Sequence, residues 1–311
     1  MRRVLWGLAA LAWAASLWFC HQAEGYGNGV YVLLDSPLAG AEAADILERE
    51  AALEDPTGMC FYALRANASI SCPDTFSSAK VTLVSVMGNP GLLGAEALTW
   101  RMGCVLDPST ARTLFGTAEV GAQQVTAEGE TRTALGVRPA LTPTALVSAE
   151  NGDSLTHCVF PGWAETGKEK TESFLLRHGL SGRILNVYPL LVFVKNACLL
   201  PLWVVLIALC NLVRKRNNRL GWLLLAVGVL ALGSRVTVPK EAIPSLWSDF
   251  SFWGTWFQGQ RENFLTIVTA CPGDWALQME RDMIQSVLCA LAGTLFAVWG
   301  GRREKHASAA H

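Results

Sequence analysis

The sequence has few charges and no excess of either sign. Only 16% of its 311 residues are Asp, Glu, Lys or Arg, and the formal net charge at pH 7 is −1. Nucleic-acid binders normally carry a basic excess, so that class is excluded. Catalytic and metal-binding patterns are missing as well. No G-x-x-x-x-G-K-[ST] occurs, so the chain does not itself carry a P-loop ATPase site, and H-E-x-x-H, G-x-S-x-G and D-x-D-x-D-G are absent. The five histidines stand away from other ligands at metal spacing, and the nine cysteines form no C-x-x-C. The sequence therefore predicts no cofactor, no metal and no catalytic residue; it does not read as an enzyme.

Apolar residues dominate what is there. They make up 51% of the chain, and the mean hydropathy is +0.30. Soluble domains carry about 25% charged residues, so this composition points to the lipid bilayer. The predicted fold class is a membrane protein, with four transmembrane α-helices and one α+β extracytoplasmic domain between the first and second helix. The first span covers residues 1–20 and reads as an uncleaved signal-anchor, because its apolar run exceeds the usual h-region of about 7–15 residues. The second is 187–213, with Pro201 as a kink site. Lys195 interrupts its outer part. The reading preferred here is a stalk, Tyr188 to Val194, above the bilayer; a functional intramembrane lysine is the alternative. The third span, 220–238, needs residues beyond Gly233, because Leu220–Gly233 gives roughly 21 Å of helix against a bilayer core of roughly 30 Å. The fourth is 283–300, and 301–311 forms a tail.

Basic residues orient these spans. Arg2 and Arg3 precede the first. Arg214, Lys215, Arg216 and Arg219 join the second to the third through the loop 214–219. Arg302, Arg303 and Lys305 follow the fourth. With four spans all three clusters share one side, which the positive-inside rule makes cytoplasmic. The expected location is a plasma (inner) membrane, multi-pass, with both termini inside.

Residues 21–186 change character, with shorter apolar runs and more turn residues. Val30–Leu34 reads as a strand. Ser36-Pro37 offers an N-cap and first helical residue for a helix Ala39–Leu53, with Ala43, Ile46, Leu47 and Ala51 on one face. Phe61–Ile70 and Val81–Met87 alternate as strands. If the first runs straight, Cys60 and Cys72 lie roughly 40 Å apart; if it turns at Ala66-Asn67, they can face each other. Val105-Leu106 ends a strand. Asp107 then caps a helix begun by Pro108 and stopped by Gly116. Gln123–Ala127 and Thr131–Leu135 form strands around a Glu128-Gly129 turn. Leu155–Phe160 reads as a strand. Glu169–Leu180 reads as an amphipathic helix with Phe174, Leu175 and Leu176 apolar, and Ile184–Val187 leads to the stalk.

The run from Asp107 to Val137 resembles the periplasmic core domain of MacB-type ABC transporter permeases. The features are a capped helix ending in Leu114-Phe115-Gly116, the Val120-Gly121 step and a strand pair closing on Gly136-Val137. One span, a large outer domain and three further spans is also the usual layout of the MacB/FtsX permease superfamily. The resemblance implies a bacterial membrane protein in which a cytoplasmic ATPase moves the spans and the outer domain follows. The basic residues at 214–219 would then contact the ATPase, and the chain would work as a homodimer. The loop is shorter here than in the family.

The loop 239–282 is rich in aromatics, among them Trp247, Phe250, Trp253 and Trp256. One reading places these rings at the membrane interface; the other packs the loop on the outer domain or a partner. Two functions follow. The first is a non-catalytic permease-like subunit of an ABC-type transport or mechanotransmission system. The alternative is a membrane-anchored binding or sensing protein with no ATPase coupling.

Overall fold

The structure is a computed structural model that describes residues 2–25, 29–98, 100–140, 142–162, 165–216, 219–244 and 250–307. In chain order its elements are α1 (Arg2–Gly25), β1 (Gly29–Ala39), α2 (Gly40–Ala51), β2 (Cys60–Cys72), β3 (Ser77–Gly88), β4 (Gly103–Leu106), α3 (Pro108–Phe115), β5 (Gln124–Ala127), β6 (Glu130–Val137), β7 (Thr144–Ser148), β8 (Ser154–Pro161), α4 (Glu165–Arg177), β9 (Gly182–Leu185), α5 (Tyr188–Cys198), α6 (Leu200–Arg216), α7 (Arg219–Gly233), α8 (Phe250–Ala270) and α9 (Trp275–Ala307). The chain divides into two compact units. A sheet domain holds Gly27–Asn186 and Arg261–Ala276; a helical unit holds Met1–Tyr26, Val187–Gln260 and Leu277–His311.

The strands of the sheet domain lie in the order β3-β7-β4-β6-β5-β2-β8-β1-β9, and β3 also pairs with β2. That extra pairing closes six strands into a ring. The long strand β2 serves two purposes. Its end, Ile70 and Ser71, pairs with β5 and completes the ring, while its start, Cys60 to Tyr62, pairs with β8 and begins an open antiparallel sheet through β1 to β9. Each part has its own apolar core. The ring core holds Ile70, Leu83, Leu106, Val125 and Val147, with Ala111 and Leu114 of α3 packed in. The open sheet core holds Val30, Val32, Phe61, Leu155 and Phe160, covered by Ala43 and Ile46 of α2 and by Phe174 and Leu175 of α4.

Several local expectations change in this frame. The strand β2 does not turn at Asn67. It passes through a register shift between Arg65 and Ala68, with Asn67 at φ 60. Cys60 therefore pairs with Gly88 and Cys72 with Ser77 at opposite ends of one hairpin, and both thiols are free. Ser36-Pro37 caps no helix. The strand β1 resumes beyond a register shift, and Leu38 and Ala39 pair with Leu155 and Ser154, so cross-strand bonding overrides the local cap signal. The helix α2 starts at Gly40. Its first amides donate to backbone carbonyls, Gly40 N to Asp153 O at 2.8 Å and Ala41 N to Asn151 O at 3.1 Å. A Cβ at residue 40 would collide with the Glu150 carbonyl, which explains the glycine. The buried face of α2 ends on Glu50, not Ala51. In α4, Leu176 is 82% exposed while Phe174 and Leu175 are buried. Ile184 lies within β9.

Among the described residues of the helical unit, three helices are long and apolar enough to cross a membrane: Val4–Gly25, Tyr188–Asn211 and Trp275–Gly300. The middle one is jointed. The helix α5 ends at Cys198 and α6 starts at Leu200, where Pro201 supplies no amide donor. The expected third span falls short. The helix α7 has 15 residues and stops at Gly233, not Val238. Ser234 Oγ donates to Ala231 O at 2.9 Å, and the β-branched run Val236, Thr237, Val238 leads to Pro239, so the helix has no continuation.

Candidate functional site

The motif from Asp107 to Gly136 is built around one carboxylate. Asp107 follows β4 in an extended conformation, and its Oδ1 accepts from Ser109 N at 2.8 Å and Thr110 N at 3.2 Å. Its Oδ2 accepts from Thr144 N at 2.8 Å at the start of β7 and from the Thr110 hydroxyl. Burial alone would raise its pKa, but the bonds from Ser109, Thr110 and Thr144 outweigh that and hold it below the usual carboxylate range. Leu114 is buried and Phe115 half-buried. Gly116 ends α3 at φ 76, a left-handed conformation that glycine adopts without strain. Gly121 N donates to Gln123 Oε1 at 2.7 Å. Gly136 of β6 faces Val105 of β4 and leaves room for Ala97, whose Cβ would lie 3.1 Å from a Cβ at 136. Glu128 and Gly129 have φ 54 and 87, a tight turn between β5 and β6. The arrangement holds a helix onto the ring of strands. It presents no nucleophile and no paired acid and base.

A second cluster gathers around Tyr31. In register, Tyr31 of β1 faces Val159 of β8 and Leu185 of β9. The start of β1, which follows α1 in the chain, thus lies beside the end of β9, which precedes α5. Residues 261–276, the second half of α8, the link after it and the first residues of α9, pack at this same place. Tyr62 Oη donates to Ala270 O at 3.0 Å, Cys271 Sγ donates to Tyr31 Oη at 3.7 Å, and the Tyr31 and Trp275 rings are 5.5 Å apart. The Arg138 guanidinium lies on the backbone of Gly273, where any Cβ would collide with it. Arg183 Nη2 donates to Asn263 Oδ1 at 2.9 Å. Burial pushes the Tyr31, Tyr62 and Cys271 groups up in pKa and pulls Arg138 down. These tyrosines and this thiol stay protonated at neutral pH, so the cluster acts as a packed joint. His157, stacked on Tyr62 with centroids 4.9 Å apart, is held below its ordinary pKa by burial.

In the helical unit α1 packs on α5 and α9. Trp13 Nε1 donates to Cys198 O at 3.0 Å, and Lys195 Nζ pairs with Glu24 Oε1 at 2.8 Å. Ser286 Oγ donates to Ser16 O at 2.8 Å. Small residues allow the close approach of α1 and α9: a Cβ at Gly293 would lie 3.2 Å from Ala9 O, and one at Gly300 3.2 Å from Trp6. Arg214, Lys215 and Arg216 are the last residues of α6, and Arg219 opens α7. Phe250 begins α8. Phe257 of that helix meets Phe193 of α5 at 5.5 Å, and Trp253 and Trp256 meet edge to face at 6.4 Å. Trp247 lies outside the described residues.

Sequence reasoning missed the buried Glu50. Its Oε1 accepts from Arg177 Nη1 at 3.0 Å and lies 2.8 Å from His178 Nε2. Its acidic neighbours on an exposed-looking helix gave no signal. It also missed the Tyr31 joint, whose members come from four distant stretches of chain.

No family model matches this chain, and no curated protein matches it. Solved structures do. The chain is similar to the periplasmic region of MacB from Actinobacillus actinomycetemcomitans, at 12% identity and a TM-score of 0.41, over 52% of this chain and 91% of that one. It is also similar to the extracellular domain of the noncanonic ABC-type transporter YknZ from Gram-positive bacteria, at 12% identity and a TM-score of 0.37, over 50% of this chain and 98% of that one.

Proposed function

We propose that this chain is a non-catalytic, permease-like membrane subunit that passes movement between membrane helices and an extracytoplasmic sheet domain. One observation carries the reading. Within the sheet domain, three stretches that border the helical unit in sequence gather around Tyr31: the start of β1, the end of β9 and the segment 261–276. A domain held at one end by several strands moves as a lever when those strands shift.

In this reading α1 is a retained anchor, which its contacts through Trp13, Ser16 and Glu24 support. The short helix α7 with residues 234–238 makes a fourth crossing. Both termini and Arg214, Lys215, Arg216 and Arg219 then face the cytoplasm, where these cations contact a separate P-loop ATPase. The aromatic half of α8 sits at the outer interface, and the subunit works as a homodimer. Purification from the native membrane after crosslinking tests this. A stoichiometric P-loop ATPase in the product is the expected result, and its repeated absence overturns the ATPase coupling. The short connection between α6 and α7 favours a second reading, a membrane-anchored sensor without an ATPase, which predicts that absence.

A further inference from the structure

The strand β2 changes neighbours partway along its length. On one side it keeps β3 throughout. On the other it pairs with β8 at Cys60 to Tyr62 and with β5 at Ile70 and Ser71, so among the described residues 63–69 have no strand partner there. This stretch is a two-stranded ribbon between the open sheet and the ring. Its ladder is broken by the register shift between Arg65 and Ala68, with Asn67 at φ 60. A ribbon of two strands with a bulge bends more easily than a wide sheet.

One side chain crosses the gap beside this ribbon. Arg65 Nη1 donates to both carboxylate oxygens of Glu128, at 2.6 and 2.8 Å. Its Nη2 donates to Asp153 Oδ1 at 3.0 Å and to Ser85 Oγ at 3.4 Å. Glu128 belongs to the β5–β6 turn of the ring. Asp153 stands just before β8 and is tied into the open sheet. Its carbonyl accepts from Gly40 N at the start of α2, and its Oδ2 accepts from Glu150 N, both at 2.8 Å. Glu128 holds φ 54, a left-handed conformation that Asn or Gly adopts with less strain. Such strain persists where the surroundings fix it, and the bonds to Arg65 do so here.

We propose that β2 is a hinge between the ring and the open sheet, and that Arg65 is its clasp, released by salt. One guanidinium holds two carboxylates from opposite banks of the gap; without it, two like charges face each other. Water reaches the clasp, because the Arg65, Glu128 and Asp153 side chains are 47%, 42% and 20% exposed. Mobile ions therefore screen it, over about 10 Å at 0.1 M and about 3 Å at 1 M. The clasp lies wholly within the sheet domain, so it holds or fails independently of any ATPase. In the lever reading proposed above, this joint sets how much movement reaches the ring.

The test uses the full chain in nanodiscs, with spin labels carried on keto-bearing residues that leave the native cysteines untouched. One pair of labels stands on exposed positions of the two bodies, Glu48 of α2 and Thr113 of α3; a second pair, Ser78 of β3 and Thr113, lies within the ring. Pulsed dipolar spectroscopy should give one narrow 48–113 distance at about 0.1 M NaCl and a second population at about 1 M. Arg65→Gln should raise that second population about fivefold at low salt, the upper range for an exposed ion pair, and remove its response to salt. Glu128→Gln and Asp153→Asn should each do part of this, and neither should add to Arg65→Gln. The 78–113 distance should stay fixed throughout. A 48–113 distribution that is the same in the wild type and in Arg65→Gln, or that ignores salt in the wild type, overturns the proposal. So does broadening of 78–113 together with 48–113, which reports loss of the fold and not opening of a hinge.

Discussion

In the sheet domain Tyr31, Phe61, Tyr62, Leu106 and Leu155 are buried, while Arg112 of α3 and Glu169, Lys170 and Glu172 of α4 are exposed. In the helical unit the order is reversed. Leu220, Leu223, Leu224 and Leu230 of α7 are exposed, and Ser16 and Ser286 are fully buried. The two units are each well packed for a different solvent. Water rewards the burial of apolar surface, whereas in lipid the apolar side chains are at home on the outside and polar groups must find partners within. The same reversal separates the cysteines. Cys72, Cys104 and Cys158 of the sheet domain sit among apolar neighbours, and Cys198 sits among hydroxyls.

One substitution made in both units breaks or sharpens this contrast. Leu223→Arg on α7 should cost about 3 kcal/mol of membrane insertion, read as the fraction of chains that acquire the four-span protease pattern. Thr113→Arg on the exposed side of α3 should change stability by less than about 0.5 kcal/mol. Equal effects at the two sites would place both helices in the same solvent.

Asp107→Ala should come next, at about 2–3 kcal/mol. It removes the cap of α3 and leaves the Thr144 amide unpaired at the ring closure. Faster hydrogen exchange across β4, α3 and β7, with the open sheet unchanged, is the expected readout. Its pH dependence has a fixed sign. The folded-state pKa lies below the unfolded one, so this stability is whole above the usual carboxylate value and is lost as pH falls through the depressed folded value.

Glu50→Gln should cost about 1 kcal/mol, because Arg177 and His178 lose their shared carboxylate while the shape is kept. Local exchange at the α2 and α4 ends would report it. The smallest effect belongs to His157. Burial lowers its pKa, so the folded state binds its proton later than the unfolded chain. Stability is whole above the unfolded value near 6.5 and declines as pH drops through the folded one. A His157→Gln variant should lose that slope in a thermal melt followed against pH.

What the sequence made legible was local. Asp107, Pro108 and Gly116 bound α3 within one short stretch, and Glu128-Gly129 fixes its turn by conformational preference alone. What it hid was remote. Ser36-Pro37 looks like a helix start until Leu38 and Ala39 find Leu155 and Ser154 across the sheet. The Tyr31 joint draws on residues near 31, 62, 138 and 271, and no pattern along the chain connects them. The helix expected over 220–238 ends early for a subtler reason. Its apolar composition continues to Val238, but α7 stops at Gly233, and the β-branched run before Pro239 has lower helix propensity.

In the proposed function the basic α6–α7 connection would meet a cytoplasmic ATPase, with the sheet domain on the other side of the membrane. A photocrosslinking residue placed at Arg214, and separately at Thr113, tests it most directly in living cells. The expected result is an adduct with a P-loop ATPase from position 214 and none from position 113. No ATPase adduct at 214, or equal adducts at both positions, would contradict it.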